Sequence, residues 1–572
     1  TNEDVYIAQK FVRAVMRTNN VDTSSNTKPE ILQSLGEMLG YQANTNPIWD
    51  LEGAKSFLVV SSNITEDHTV AAIPVKKALR QGASLVIIDT RETELTRHAT
   101  HWLRPIPGTE TAVIGGMLRV IFDESLDDHT FLSENCENFD TFRKSMWEFD
   151  LVKVSSITGI SPSEIRSAAR AFASKAPGAI LYALDNLEAH LRSDCTKAIV
   201  NLALATGNVG KPSSGLYYLY SGSNQQGAMD MGCSPNHLPG HHHTQEKDTI
   251  HRLQEKWGVE LPSSSGIGVT EIAKSINQGK LKALFIIGNN PNFIDGELDR
   301  FMESLKRLEF LVVLETFPND ISNLADAVLP ITTFAENEGT YTNMERRVQI
   351  VQPVLGSKGD DETGWRIISQ LARHMGADGF DYEDAKSIFD EIRSVADIYQ
   401  GMSLEKLKPS GLQWPSTNGV TEETPLLPIS INKNSLAKML TFNLPNPSTN
   451  RNPEYPLLLA KGRILSQTNG NFTIENDGKR NSVHREEVIE LHESDASALG
   501  LSNGDQVRVV SEKHRFSAVA QLTSPHQGLI STTALFGQMI TDLDNSNIPD
   551  FTLGADRLSL VPARVEKVDP IS

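Results

Sequence analysis

The sequence predicts an α/β protein made of two doubly wound α/β domains followed by a C-terminal β-barrel domain. Three observations point to this class. Short β-rich apolar runs alternate with helical patterns between residues 56 and 333, most of these runs end on Asn, Asp or Glu, and the pattern beyond residue 456 changes to closely spaced strands. At 572 residues the chain is also too long for one hydrophobic core, so about three domains are expected.

The first six runs are SFLVVSSN (56–63), SLVIIDTR (84–91), AILYALDN (179–186), ALFIIGNN (283–290), FLVVLETF (310–317) and DAVLPITT (326–333). Strands so continuously apolar belong to parallel sheets covered on both faces. In doubly wound sheets ligands bind beyond the carboxyl ends of the strands, which draws attention to Asn63, Asp89, Asn186, Asn290 and Glu315. The bland alternative is that each of these residues caps a turn or helix. Spacing favours a shared role, because Asn63 and Asp89 stand 26 residues apart and Asn290 and Glu315 stand 25 apart, each pair spanning strand, helix and strand. This is the pattern of one mononucleotide-binding half used twice. A carboxylate ending the second strand can accept two hydrogen bonds from a ribose or from the N–H edge of a guanine.

From about residue 352 to 428 the pattern is helical, and Trp365, Ile368, Leu371 and Ala372 share one face of ETGWRIISQLARHMG. The stretch NLPNPSTNRNPEYP (443–456) is a linker by composition. After it, LLLAKGR, EVIELH, DQVRVVSE, FSAVAQLT, GLISTTALF and SLVPARVEKV predict a closed or sandwiched β domain of about 120 residues.

Charge and cysteine content restrict the function. With 53 Lys+Arg against 72 Asp+Glu, the net charge of −19 argues against a nucleic-acid or anionic-membrane surface. Bound phosphates would then be held by backbone N–H groups and a few placed cations. No apolar run reaches the roughly 18 residues of a membrane span and no signal-peptide pattern is present, so a cytoplasmic protein is expected, reaching the inner membrane only through partner subunits. Cys136, Cys195 and Cys233 are far apart with no CxxC, which fits a reducing compartment and argues against an iron–sulfur cluster or Cys-rich zinc site in this chain. A start at Thr1 suggests a processed or cut chain.

The loop YSGSNQQGAMDMGCSPNHLPG (220–240) sets glycines among Ser, Asn and Gln with one charged side chain, Asp230. With its flanks ATGNVGKPSSG, TNEDVYIAQKFVRAVMRTNNVD and ADAVLPITTFAENEGTYTNMERRVQ, and with the terminal β domain, it resembles the molybdopterin oxidoreductases. The resemblance is to the formate dehydrogenase branch, to which one subunit of NADH-quinone oxidoreductase (complex I) also belongs, and it covers nearly the whole chain. It implies molybdopterin guanine dinucleotide held between two α/β domains related by a pseudo-twofold. It further implies guanine or ribose contacts at Asp89 and Glu315, and backbone contacts around Asn63, Gly227, Gly288 and Asn290. Polar contacts to the pterin and its phosphates are implied near Asn224, Gln226, Asp230, Glu336 and Arg346. The implied domains are residues 1–22 with 223–358, 23–222 with 359–446, and 447–572.

Two departures from the family pattern stand out. The family's Cys or selenocysteine metal ligand would fall within Asn26 to Lys28, where no Cys, selenocysteine or His stands; the hydroxyls of Ser25 and Thr27 are nearby. The arginine that orients a carboxylate in formate dehydrogenases is replaced by Tyr220, which can donate one hydrogen bond but cannot pair with formate's charge. The family's iron–sulfur module would precede Thr1, in an upstream segment or a partner. No catalytic residue and no metal ligand is assigned on this reading. The main expectation is a subunit of a redox complex, most like the C-terminal region of that NADH-quinone oxidoreductase (complex I) subunit, without molybdenum chemistry of its own. The alternative is a formate-dehydrogenase-like catalytic subunit that binds the bis-guanine-dinucleotide cofactor.

Other signals have plainer readings. His237, His241, His242 and His243 are read as solvated or hydrogen-bonding side chains, with His241 standing where the family has Tyr. GNVGKPS (207–213) has too few residues between its glycines for a P-loop and fits a helix C-cap followed by Pro. Glu336 and Glu338 are read as structural or cofactor-facing rather than as an acid/base pair.

Overall fold

The computed structural model describes residues 1–568 apart from 25, 27, 91–92, 185–186, 188, 221, 289–296, 357–361, 417–423, 428–435, 446–452, 461–487, 512–514, 524–525 and 534–559. The expectations placed on Ser25, Thr27, Asn186 and Asn290 therefore lie outside the described residues. The chain divides into two compact units. One comprises Thr1–Thr27, Tyr220–Asn292 and Leu298–Pro425, and the other Lys28–Leu219, Phe293–Glu297 and Leu426–Ser572.

The second unit contains a five-stranded parallel sheet of β1 (Ser56–Val60), β2 (Ser84–Ile88), β3 (His101–Leu103), β4 (Gly178–Tyr182) and β5 (Gly215–Tyr218). Its spatial order is β3-β2-β1-β4-β5. Every residue of β1, β2, β4 and β5 is buried, which is why these runs carry no polar alternation. Helices such as Glu110–Asp123, Pro162–Ala173 and Ala189–Ala205 pack around it. The Pro162–Ala173 helix starts where it does because Ser161 and Glu164 form a reciprocal capping box with Pro at the first helical position. The chain runs outward from β1 to β2 and β3, then returns to the other flank of β1 for β4 and β5. The topological switch therefore lies between β1 and β4, paired in register from Ser56 with Gly178 to Val60 with Tyr182.

The first unit holds a smaller parallel sheet of β6 (Ala283–Ile287), β7 (Phe310–Glu315) and β8 (Ala327–Pro330), with β7 in the middle. Here the expectation of strands covered on both faces fails for the flanking pair: β6 and β8 are only partly buried, because in a three-stranded sheet both are edges. An antiparallel sheet of β9 (Gly339–Thr342), β10 (Arg347–Val351) and β11 (Leu412–Gln413) follows. The helix Asn2–Ala14 joins these parts. Asn2 Nδ2 donates to the hydroxyls of Thr340 and Thr342 at 3.1 Å each, and the Arg13 guanidinium donates to the carbonyls of Gly232, Ser234 and His237. In the helix Gly364–His374, Trp365, Ile368 and Ala372 are buried and Leu371 half-buried, as their shared face requires.

The six C-terminal runs form a closed barrel of β12 (Leu457–Ala460), β13 (Val488–Leu491), β14 (Gln506–Ser511), β15 (Arg515–Leu522), β16 (Leu529–Thr533) and β17 (Leu560–Lys567). The strand order is β12-β16-β13-β15-β14-β17, and closure leaves no open edge around the core of Leu459, Ile489, Val507, Val509 and Ile530. Among the described residues no helix is long and apolar enough to cross a membrane.

Candidate functional site

The carboxyl edge of the five-stranded sheet gathers more buried polar chemistry than its strand ends alone predict. Ser61 and Leu184 close β1 and β4 with left-handed backbones, φ +43° and +56°. For residues with a Cβ this conformation costs on the order of 1–2 kcal/mol, and it turns both chains sharply away from the sheet at the switch point. Asn63, mostly buried, follows; its Oδ1 accepts from Thr65 Oγ1 at 3.0 Å. Asp89, 1% exposed, follows β2, and its backbone carbonyl accepts from Trp102 Nε1 at 2.9 Å. Lys28 reaches the same edge, donating from Nζ to the Ala183 carbonyl at 3.2 Å.

Four side-chain atoms here are buried without a hydrogen-bond partner: Ser61 Oγ, Ser62 Oγ, the Tyr182 hydroxyl and Glu110 Oε2. Buried polar groups are nearly always paired, so three such atoms at or just beyond the ends of β1 and β4, with a fourth at the start of a helix, have the donor and acceptor capacity for a polar ligand. The Tyr182 ring stacks on Tyr218 with centroids 5.7 Å apart. Glu110, which opens the Glu110–Asp123 helix and is 1% exposed, has its carboxyl group pushed up to about 8 by burial, with the Asp89 charge adding to the effect. No sequence pattern singles out Glu110, Ser61, Ser62 or Tyr182. Ser61, Ser62 and Tyr182 are signalled only by standing in strand runs identified above, and Glu110 by nothing.

In the first unit the corresponding strand ends are more open. Gly288 follows β6 with φ +61°, and a Cβ built there would meet nothing within 4 Å among the described residues. Glu315 ends β7, half-buried, with Oε1 accepting from the Thr316 N–H at 2.8 Å and Oε2 from Asn319 Nδ2 at 3.2 Å. Glu336 Oε2 accepts from the N–H and hydroxyl of Thr333 at 3.0 and 2.9 Å.

The glycine- and amide-rich loop bonds extensively within its own unit. Asp230 is fully buried and accepts four hydrogen bonds: from Gln226 Nε2 at 2.9 Å, His241 Nε2 at 2.8 Å, Tyr399 OH at 2.7 Å and Trp414 Nε1 at 2.8 Å. Burial and the Asp230 charge hold the Tyr399 hydroxyl well above its ordinary range. The Tyr220 hydroxyl donates to Gln226 Oε1 at 3.1 Å. Asn224 Oδ1 accepts from the Thr342 N–H at 2.7 Å. Gly227 has no room for a side chain, since a Cβ would overlap Asn2 Oδ1 and Asn224 Oδ1. Arg346, also fully buried and left-handed at φ +67°, donates to the carbonyls of Trp414, Thr424 and Pro425. The structure thus brings Gln226 and Asp230 into one network, with Arg346 reaching the carbonyl of its Trp414, and sets Glu315 and Glu336 in local turns. His241, expected from the sequence to be solvated or hydrogen-bonding, is a hydrogen-bonding partner here, whereas the sequence does not point to Tyr399 and Trp414 as partners in this network.

The histidines divide by environment. Burial pushes His237 down to about 3, helped by His241, His243 and Arg13, whereas hydrogen bonding to Asp397 raises His242, whose Nδ1 also meets Glu246 Oε2 at 3.0 Å. Among the described residues no group of three or more His, Cys, Asp or Glu is arranged to hold a metal ion. Cys136, Cys195 and Cys233 are all buried free thiols.

Comparison with known proteins agrees with this architecture. Acetylene hydratase from Pelobacter acetylenicus matches with a TM-score of 0.66 at 19% identity, covering 95% of this chain and 81% of that one, a likeness of fold. F420-dependent formate dehydrogenase 2 subunit alpha of Methanococcus maripaludis is 34% identical over 576 residues, covering 99% of this chain and 84% of the relative. Formate dehydrogenase H of Escherichia coli is 30% identical over 542 residues, covering 93% and 76%. The family model for molybdopterin oxidoreductase matches residues 1–374 and that for the molybdopterin dinucleotide-binding domain matches residues 457–554, the latter beginning at the first barrel strand. The chain belongs to the molybdopterin oxidoreductase family.

Proposed function

We propose that this chain is the large, pterin-dinucleotide-binding subunit of a formate-dehydrogenase-type redox complex. The observation that carries the reading is the set of unpartnered buried groups at the carboxyl edge of the five-stranded sheet, Ser61, Ser62, Tyr182 and Glu110. Their donors and acceptors suit the sugar and phosphate oxygens and the base of a guanine nucleotide. Ser61, Ser62 and Asn63 would hold the phosphate and sugar, and Asp89 the N–H edge of the base. Gly288, Asn290 and Glu315 would do the same for a second nucleotide. Similarity to formate dehydrogenase alpha subunits favours this reading over that of a complex I subunit.

When bound, such a cofactor supplies two-electron chemistry on a small substrate. The chain's own contribution is to bind, orient and enclose. Tyr220 offers one hydroxyl, already donating to Gln226, where a guanidinium would pair with a carboxylate, so formate is held weakly at that position. Electrons leave through a partner segment or subunit that carries iron–sulfur clusters. A second reading, a scaffold without metal, is favoured by one observation: residues 26–28 supply neither thiol nor imidazole.

The test is to purify the chain with its complex, quantify molybdenum and tungsten, release the fluorescent oxidised pterin, and assay formate-dependent dye reduction. Stoichiometric pterin supports the proposal, and dye reduction above background extends it to formate. Absence of both pterin and metal from the intact complex selects the scaffold.

A further inference from the structure

The backbone that carries Asp89 is held by the strand beside it. The Asp89 N–H donates to the Leu103 carbonyl at 3.2 Å, and the Asp89 carbonyl accepts from Trp102 Nε1 at 2.9 Å. Both peptide planes next to the Asp89 Cα are therefore fixed, and with them the direction of its Cα–Cβ bond. One residue on, the Thr90 carbonyl accepts from Arg104 Nε at 3.2 Å and from Arg104 Nη2 at 3.0 Å. Two donors of one guanidinium on a single oxygen make a fork that a lysine cannot reproduce. The Arg104 guanidinium also stacks on Trp102, its carbon 4.2 Å from the ring centroid. Indole and guanidinium thus brace one another across the successive carbonyls of Asp89 and Thr90.

The same guanidinium also meets the barrel. Nη2 lies 3.9 Å from Glu490 Oε2 on β13, and that oxygen accepts from Ser531 Oγ on β16 at 2.9 Å. Nη1 reaches the Thr523 carbonyl at 3.5 Å, and the Arg104 carbonyl accepts from His526 Nε2. The side chains of Arg104 and Glu490 are only 17% and 20% exposed, so salt screens the pair less than it screens a surface pair.

We propose that Arg104 is a positioning residue that ties the barrel to the aim of the Asp89 carboxylate, so that the seating of the barrel sets how selectively the nucleotide base is held. The inference rests on the reading of Asp89 as a base contact and adds the residue through which the barrel reaches it. A cation that merely fastened barrel to sheet would change stability and leave base selectivity alone.

The full chain is titrated calorimetrically with GDP and with inosine diphosphate, whose base lacks the amino group of guanine, as wild type, Asp89→Ala, Arg104→Gln and the double variant. A well-aimed carboxylate accepts from N1–H and N2–H of guanine but only from N1–H of hypoxanthine, so the wild type should prefer GDP about tenfold. Arg104→Gln should weaken GDP binding about tenfold and inosine diphosphate binding less than about threefold, which removes most of the preference. In the Asp89→Ala background the same change should alter GDP affinity less than about twofold, because both substitutions act on one contact. Glu490→Gln should weaken GDP binding about threefold in the wild type and hardly at all beside Arg104→Gln. The inference is overturned if Arg104→Gln weakens GDP equally in the wild-type and Asp89→Ala backgrounds, if it leaves the preference for GDP intact, or if Glu490→Gln acts equally with and without Arg104. Should Arg104→Gln not fold, the cycle is run with Arg104→Lys, which keeps the charge beside Glu490 and loses the fork on Thr90. A wild type that binds GDP no tighter than inosine diphosphate, or an Asp89→Ala variant that binds GDP as the wild type does, overturns the reading of Asp89 instead, and the inference with it.

Discussion

His241 Nε2 sits 2.8 Å from Asp230 Oδ1, and the same carboxylate also accepts from Gln226, Tyr399 and Trp414 inside the first unit. A carboxylate with four donors and no exposure is the keystone of a polar core. Replacing Asp230 with Ala takes the acceptor from an indole N–H and an imidazole in the interior, and leaves the Tyr399 hydroxyl with Thr342 Oγ1 at 2.6 Å. The expected loss is about 3–5 kcal/mol of unfolding free energy, measured by denaturant titration with Trp414 contributing to the fluorescence signal. Asp230→Asn keeps the acceptor on one side only and should fall between.

Gly227 and Gly288 look alike in the sequence, as places where backbone approaches a ligand, but they differ in space. Gly227→Ala drives a methyl into Asn2, whose amide is fixed by Thr340 and Thr342, and should cost about 1–3 kcal/mol. Gly288→Ala meets nothing among the described residues and should cost the strain of its positive φ, about 1 kcal/mol. Paired thermal melts of the two variants check the contrast.

Glu110 also makes stability depend on pH. In the unfolded chain a glutamate releases its proton near pH 4.5, while in the folded protein it keeps it to about 8. Between these values the folded state binds more protons, so stability is fully present below pH 4.5 and declines as pH rises through 8, by at most about 1.4 kcal/mol per pH unit. Glu110→Gln should flatten this part of the profile, so the stability of the variant relative to wild type rises between pH 5 and pH 8.

His237 acts in the acid range. Its folded value of about 3 lies below the ordinary 6.5, so the unfolded chain takes up the proton first. The folded state then loses stability as pH falls from 6.5 toward 3. A neutral replacement, His237→Gln, should reduce acid sensitivity in that window, read as a smaller drop in melting temperature from pH 7 to pH 5.

The three thiols should be silent in the native protein. Burial pushes Cys136 and Cys233 up to about 12 and Cys195 higher still. A thiol-reactive dye should label none of them within minutes under native conditions and all three in denaturant; rapid native labelling at Cys233 would contradict the burial described for the loop.

The twelve strands that follow apolar runs are legible in the sequence because their physics is local, whereas β3, β5 and β9 to β11 carry no such run and are not expected from it. Each apolar run from SFLVV to the last barrel strand begins within a residue of the strand it predicts, and the buried sheet of the second unit is filled largely by aliphatic and aromatic side chains. The amide-rich loop is legible only as something unusual. Its composition suits a cofactor, but Asp230 finds its partners Tyr399 and Trp414 169 and 184 residues further on, and no local pattern announces such pairings. Asn2, which limits Gly227, is likewise remote. The members of the second-unit site lie closer to predicted strand ends. Ser61 and Ser62 stand inside the SFLVVSSN run, directly before Asn63, yet a hydroxyl is informative only once its lack of a partner is known.

The contacts of the Asn2–Ala14 helix also set a schedule. Its amide and guanidinium groups bond to residues that include Gly232, Thr340 and Thr342, while the loop it holds waits for Trp414. At roughly 5–20 residues per second on the ribosome, the interval between Asn2 and Trp414 is on the order of 20–80 s. Until Thr340 and Thr342 have been made, the first turn of the helix lacks the partners of Asn2. The five-stranded sheet of the second unit, complete by Tyr218, can form before Thr340 and Thr342 are made. Assembly therefore runs from the middle of this sequence outward, and the Asn2–Ala14 helix is among the last elements to meet all of its partners.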